Sequence, residues 1–252
     1  MEATPNKRTL WEPDHKNFLG PAHRTMFGLD KDAVVFDIGA NMGGMTTYFF
    51  VLNPTCFQHV FEPVPGLLQR CQEALTPAQR DQCSFHCLGI SDQPGWKLGC
   101  HLYNCWTILK PEESKLEMSP GMGEYGAAEA FDVEFTTIDH YVKTNGLTKV
   151  NFMKIDTDGY DAKVLIGAAE TLKTLRPYML IELSYLVQDI GNSIKDFCHL
   201  LFAHDYMLVA VDGSVVDDPT TLLAYFPYNT SCDVFLIPKE KASLFDLHYG
   251  LY

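Results

Sequence analysis

The chain lacks any apolar run approaching the roughly eighteen residues that would cross a bilayer. Its opening residues, MEATPNKRTLWEPDHKNF, hold no apolar stretch of the kind that heads a secretory leader. A cytoplasmic protein with no membrane span is expected. Positive charge is scarce: 19 Lys and Arg stand against 32 Asp and Glu, a formal charge of -13. Such a surface repels a phosphate backbone, so no nucleic-acid partner is expected. The paired C-x-x-C spacing of structural zinc sites is also missing. Eight cysteines are present, and Cys83, His86, Cys87, Cys100, His101 and Cys105 cluster in sequence without that spacing. Reduced, mostly buried thiols and no metal are the expectation. There is no internal repeat and no low-complexity tract.

What is present is a chain of 252 residues with 46% hydrophobic and 20% charged content, enough for one large α/β domain. Short apolar runs alternate with helix-compatible segments. AVVFDI (33–38) precedes a helical stretch at 44–53, and CFQHVF (56–61) precedes a helix after Pro63 and Pro65. QCSFHCLGI (82–90) reads as a third strand, and VNFMKI (150–155) precedes a helix over about 160–173. YMLIEL (178–183), a helix around 192–203, YMLVAV (206–211) and DVFLIP (233–238) follow. This alternation predicts a Rossmann-like, mostly parallel, doubly wound sheet covered on both faces. The last two strands have no strong helix between them, which predicts an antiparallel edge strand. Residues 1–32 form an N-terminal extension, 33–238 the domain and 239–252 a tail. Within the domain, 103–130 is rich in Pro and Gly and reads as a lid or substrate loop.

The turn after the first strand, V-F-D-I-G-A-N-M-G-G (35–44), is the strongest chemical signal. Gly39 and Gly43 let backbone pass close to a ligand at the carboxyl edge of the sheet. Asn41 tolerates a positive φ, and Asp37 is placed to organise the turn or meet a cation. Glu62 ends the second strand about twenty residues further on, where a doubly wound fold sets an acid against ribose hydroxyls. Ser91 and Asp92 close the third strand within reach of an adenine edge. Lys154 and Asp156, two apart on a strand, share a face, so one could act as general base or acceptor orienter while the other tunes it. Asp158 and Asp161 suit the start of the next helix. His140 is a further candidate proton acceptor.

These residues suit either a nicotinamide oxidoreductase or a methyltransferase. The dinucleotide fingerprint wants G-x-G-x-x-G, and here Asn41 replaces the middle glycine that lets a pyrophosphate approach. S-adenosylmethionine has no phosphate and makes no such demand.

D-I-G-A-N-M-G (37–43), F-E-P (61–63), I-S-D (90–92), T-T-I-D (136–139), K-I-D-T-D-G (154–159) with V-L-I-G-A, and R-P-Y-M-L-I-E-L (176–183) together resemble the FkbM family of class I methyltransferases. The resemblance covers roughly residues 33–238. It implies S-adenosyl-L-methionine as cofactor, contacted by Asp37, Gly39, Asn41, Gly43, Glu62 and Asp92; Ser91 and Asp156 are further candidate cofactor-binding residues. It also implies a small acceptor, a sugar, polyketide or peptide, methylated at a hydroxyl or, in some members, at a side-chain amide. One departure stands out: the family usually shows K-I-D-V-E-G, and this chain has Thr157 and the shorter Asp158. A degenerate member acting only as a scaffold is the non-enzymatic alternative.

Overall fold

A computed structural model describes residues 31–103, 107–109, 131–184, 193–210, 215–216, 218, 222 and 231–242. Almost all of the N-terminal extension and of the expected lid at 103–130, and most of the tail, lie outside these. In chain order the elements are β1 (Val34–Ile38), α1 (Gly44–Leu52), β2 (Phe57–Phe61), α2 (Pro65–Glu73), α3 (Pro77–Arg80), β3 (Cys83–His86), β4 (Gly89–Ile90), β5 (Gly95–Tyr103), β6 (Thr107–Leu109), β7 (Phe131–Thr136), α4 (Ile138–Thr144) and β8 (Phe152–Ile155). Then come α5 (Asp161–Ile166), α6 (Ala169–Thr174), β9 (Tyr178–Ser184), α7 (Ile194–Phe202), β10 (Tyr206–Ala210), β11 (Val215–Val216) and β12 (Ser231–Pro238).

Eight strands form the main sheet in the order β11-β10-β12-β9-β8-β1-β2-β3. β3, β2, β1, β8 and β9 run parallel, and β12 enters antiparallel between β9 and β10. The reversal therefore lies at the expected side of the sheet, with β12 third from the edge, inside β10 and β11. Alternation along β1 sends Phe36 and Ile38 into one buried cluster with Phe61, Met153 and Ile155, and Val35 into another with Phe49 and Phe152. Among the described residues no helix is long and apolar enough to cross a membrane.

Two expectations are corrected. Residues 82–90 do not form one strand: β3 joins the main sheet, whereas β4 pairs with β7 in a small second sheet ordered β4-β7-β5-β6. Pairing partners rather than local apolarity set that break. The helix expected over 160–173 is two helices, because Gly167 lets the chain pass Ser91: a Cβ there would stand 2.2 Å from the Ser91 carbonyl oxygen. Asp139 then starts α6 by accepting from the backbone N–H groups of Glu170 and Thr171 and from the Thr171 hydroxyl, at 2.7–2.9 Å.

Candidate active site

The tips of β2, β1 and β8 lie side by side, and their turns build one concave rim. Gly39 has φ +78, and a Cβ on it would stand 1.9 Å from the Asp156 carbonyl oxygen. Its smallness first serves the contact between the β1 and β8 turns. Gly43, with φ +85, likewise abuts Cys71 of α2 and not the cavity. Asn41 takes the positive φ expected of it, +51. The N–H groups of Gly39 and Ala40 both donate to the Phe61 carbonyl, at 2.9 and 3.0 Å, which pins the turn to β2.

Glu62 completes that clasp. Its Oε2 accepts from Asn41 N–H at 2.8 Å and its Oε1 from Val64 N–H at 2.9 Å. Each oxygen thus keeps capacity for one more donor. Burial pushes this carboxyl up to about 7, against the pull of the two backbone N–H groups and Lys154.

Beneath the rim lies a buried charge cluster. Asp37 pairs in register with Lys154 across β1 and β8. Asp37 is wholly buried; its Oδ2 accepts from the Thr46 hydroxyl at 2.6 Å and its Oδ1 lies 3.5 Å from the Lys154 ammonium. Lys154 also donates to the Gly39 carbonyl at 2.6 Å and reaches Asp156 Oδ2 at 3.2 Å. Burial alone would depress this lysine, but Asp156 and Asp37 outweigh it and hold the ammonium above the ordinary lysine range. Lys154 is thus held as an ammonium between the Asp37 and Asp156 carboxylates. Asp37 organises the turn from below and does not line the cavity.

The cavity encloses about 690 Å³ including its open mouth. The sequence-derived residues that line it are Gly39, Asn41, Glu62 and Asp156. Ser91 and Asp92 do not. Ser91 is buried and donates its hydroxyl to Asp92 at 2.9 Å, and the preceding Leu88, Gly89 and Ile90 form that wall instead. His140 sits exposed in the first turn of α4, where its N–H donates to the Thr137 hydroxyl, and it is not among the residues that line the cavity.

Sequence reasoning missed one wall. Phe135 of β7 and Tyr160 before α5 stack with centroids 5.5 Å apart and 17° between planes, and both face the cavity. Gly89 is small because the Phe135 ring lies over it, 2.5 Å from where a Cβ would be. Tyr160 follows K-I-D-T-D-G directly and was legible as a neighbour of the motif. Phe135 was not, since its strand belongs to the second sheet.

The lining carries the carboxylates of Glu62, Asp156 and Asp158 and, among the described residues, no lysine or arginine. No three His, Cys, Asp or Glu side chains of the described residues converge as a metal site would require.

The sheet order, with its reversed strand, and the acid at the tip of β2 define a class I methyltransferase fold. Residues 37–208 match the methyltransferase FkbM domain, and the chain belongs to that family. It is 29% identical over 163 residues to the 2-O-methyltransferase NoeI of Sinorhizobium fredii (strain NBRC 101917 / NGR234), covering 61% of this chain and 65% of that protein. It is 22% identical over 201 residues to the 31-O-demethyl-FK506 methyltransferase FkbM of Streptomyces tacrolimicus, covering 70% and 74%. The crystal structure of a methyltransferase FkbM from Methylobacillus flagellatus KT superposes with a TM-score of 0.50 at 14% identity, over 82% of this chain and 44% of that one. The chain thus spans less than two thirds of NoeI and of the Methylobacillus protein.

Proposed function

We propose that the protein is an S-adenosylmethionine-dependent methyltransferase that methylates a hydroxyl of a small molecule such as a sugar or natural product. The observation that carries this reading is the charge of the cavity: three carboxylates and no cation among its described lining residues. A pyrophosphate would meet an acidic wall with no basic side chain among its described lining residues, whereas a sulfonium is attracted and favours the ionised carboxylates. Membership of the FkbM family supports it, as do the O-methyl acceptors named for the two curated relatives.

Bound S-adenosylmethionine supplies an electrophilic methyl carbon on a positively charged sulfur. The chain supplies position. Glu62 offers one free acceptor site on each oxygen to a pair of ribose hydroxyls, and the Asn41 N–H bond fixes its angle. The Phe135–Tyr160 stack and Leu88 wall the cavity against water, and Asp156, held by Lys154, orients the acceptor.

Calorimetry on the full chain is expected to show binding of adenosylhomocysteine and none of NADH; the reverse would overturn the reading. A labelled-methyl screen against sugars, polyketide alcohols and peptides then identifies the acceptor, and label entering only peptide amides would replace O- by N-methylation. Asp156→Asn should lower turnover while leaving cofactor affinity near the parental value.

A further inference from the structure

Of the three cavity carboxylates, two are engaged. Glu62 holds two backbone N–H groups, and Asp156 is paired to Lys154. Asp158 differs: it lines the same cavity, yet among the described residues no donor bonds its carboxylate and no cation pairs with it. Its placement is nevertheless enforced. Asp161, wholly buried, accepts from Thr157 N–H, the Thr157 hydroxyl and Gly159 N–H at 3.0–3.1 Å, so the turn is strapped on both sides of Asp158. The strap holds Asp158 at φ +48, a left-handed conformation that aspartate tolerates better than most side chains. Neither acid caps α5 through its side chain: Asp161 lies in the first turn and closes the preceding turn, and Asp158 stands before the helix. A strained position occupied by an unbonded acid at a cavity wall is a feature of functional sites.

Resting on the methyl-transfer reading above, we propose that Asp158 is the catalytic residue that receives the proton of the acceptor hydroxyl. The acceptor oxygen forms a bond to the methyl carbon, the carbon–sulfur bond breaks with its electron pair staying on sulfur, and the O–H proton passes to the Asp158 carboxylate, which returns it to water after the products leave.

The electrostatics of the rim suit that task. Burial, then Asp156 and Asp161, push Asp158 up to about 8, with Lys154 opposing and Glu62 adding to the rise. Glu182 of β9 belongs to the same acidic field, and Asp233 of β12, its register partner, couples to it through Asp156, Asp161 and Lys154. A cationic ligand in the cavity favours the ionised carboxylate. Loss of that positive charge on methyl transfer raises the proton affinity of Asp158 as the proton departs from the acceptor.

The deciding test is calorimetry at pH 7.5 in buffers of different ionisation enthalpy, which counts protons released on binding. The full-length parental chain is expected to release a fraction of a proton with adenosylmethionine and less with adenosylhomocysteine. Asp158→Asn, which keeps the size and left-handed tolerance of the residue, should lose this difference, and Asp158→Glu should retain it. With pooled monosaccharides as acceptors, labelled-methyl transfer should rise with pH up to about 8, and Asp158→Asn should lose that rise with a rate loss on the order of a hundredfold or more. A folded Asp158→Asn protein with the parental proton count overturns the role of Asp158 alone. Failure of the parental chain to bind either nucleoside overturns the methyl-transfer reading instead.

Discussion

The Lys154 ammonium donates to the Gly39 carbonyl at 2.6 Å, so the charge on β8 is fixed directly beneath the β1 turn. Through it the two strand tips that face the proposed sulfonium are held as one unit, with Asp37 and Asp156 on either side.

Removing that cation strands a buried charge. Lys154→Met is expected to destabilise the fold by about 3–5 kcal/mol, the usual cost of deleting one partner of a buried pair, since Asp37 is wholly buried. Urea denaturation of parent and variant measures it. A loss below about 1 kcal/mol, the scale of exposed pairs, would show that the cluster is solvated.

Gly39→Ala tests the contact between the same turns. Its Cβ would stand 1.9 Å from the Asp156 carbonyl, at a backbone φ of +78. A loss of at least about 1–3 kcal/mol is expected from the conformation alone, with adenosylhomocysteine affinity falling as the rim opens. Thermal denaturation with and without the nucleoside separates the two effects.

Glu62 makes the fold pH-sensitive. Its carboxyl lies near 7 in the folded chain, against an ordinary value of 4.5. The folded state therefore binds more protons between these values. The stability this group contributes is complete below about 4.5 and is lost as pH rises through about 7. Chemical denaturation from pH 4.5 to 8 should show this decline, about 3 kcal/mol at most from the one site, and Glu62→Gln should flatten it. An unchanged slope in the variant would assign the titration to another acid.

A hydroxyl bridges two histidines behind the cavity wall. Tyr141 meets His59 Nδ1 at 2.8 Å and His86 Nε2 at 2.7 Å. Tyr141→Phe leaves both ring nitrogens without this partner and should cost about 1–3 kcal/mol. Burial, then His86, lowers His59 to about 4. Its folded value lies below the ordinary 6.5, so its contribution is present above 6.5 and is lost as pH falls toward 4. A variant with parental stability at pH 7.5 would mean that water replaces the hydroxyl.

Legibility varied with the range of the interaction involved. Asn41 and Glu62 were readable because left-handed turns and strand-tip acids leave local marks. Ser91 and Asp92 follow the right strand but are not among the residues that line the cavity. The chain switches sheets at Cys87 and Leu88, and Leu88–Ile90 rather than Ser91 and Asp92 line the cavity. Nothing within a few residues of Ser91 records that β4 pairs with β7, some forty-five positions later in register.

The alternating apolar runs, the glycine turn and the placement of acids at strand ends were determined by the sequence itself, because period and turn chemistry are properties of neighbouring residues. Tertiary structure decided which acid does what. Asp37, Asp156 and Asp158 are similar in local sequence, yet one is sunk beneath Thr46, one is paired to Lys154, and one is left unbonded at the wall. That division depends on strand order and on a lysine more than a hundred positions from Asp37, which only the folded chain brings within reach.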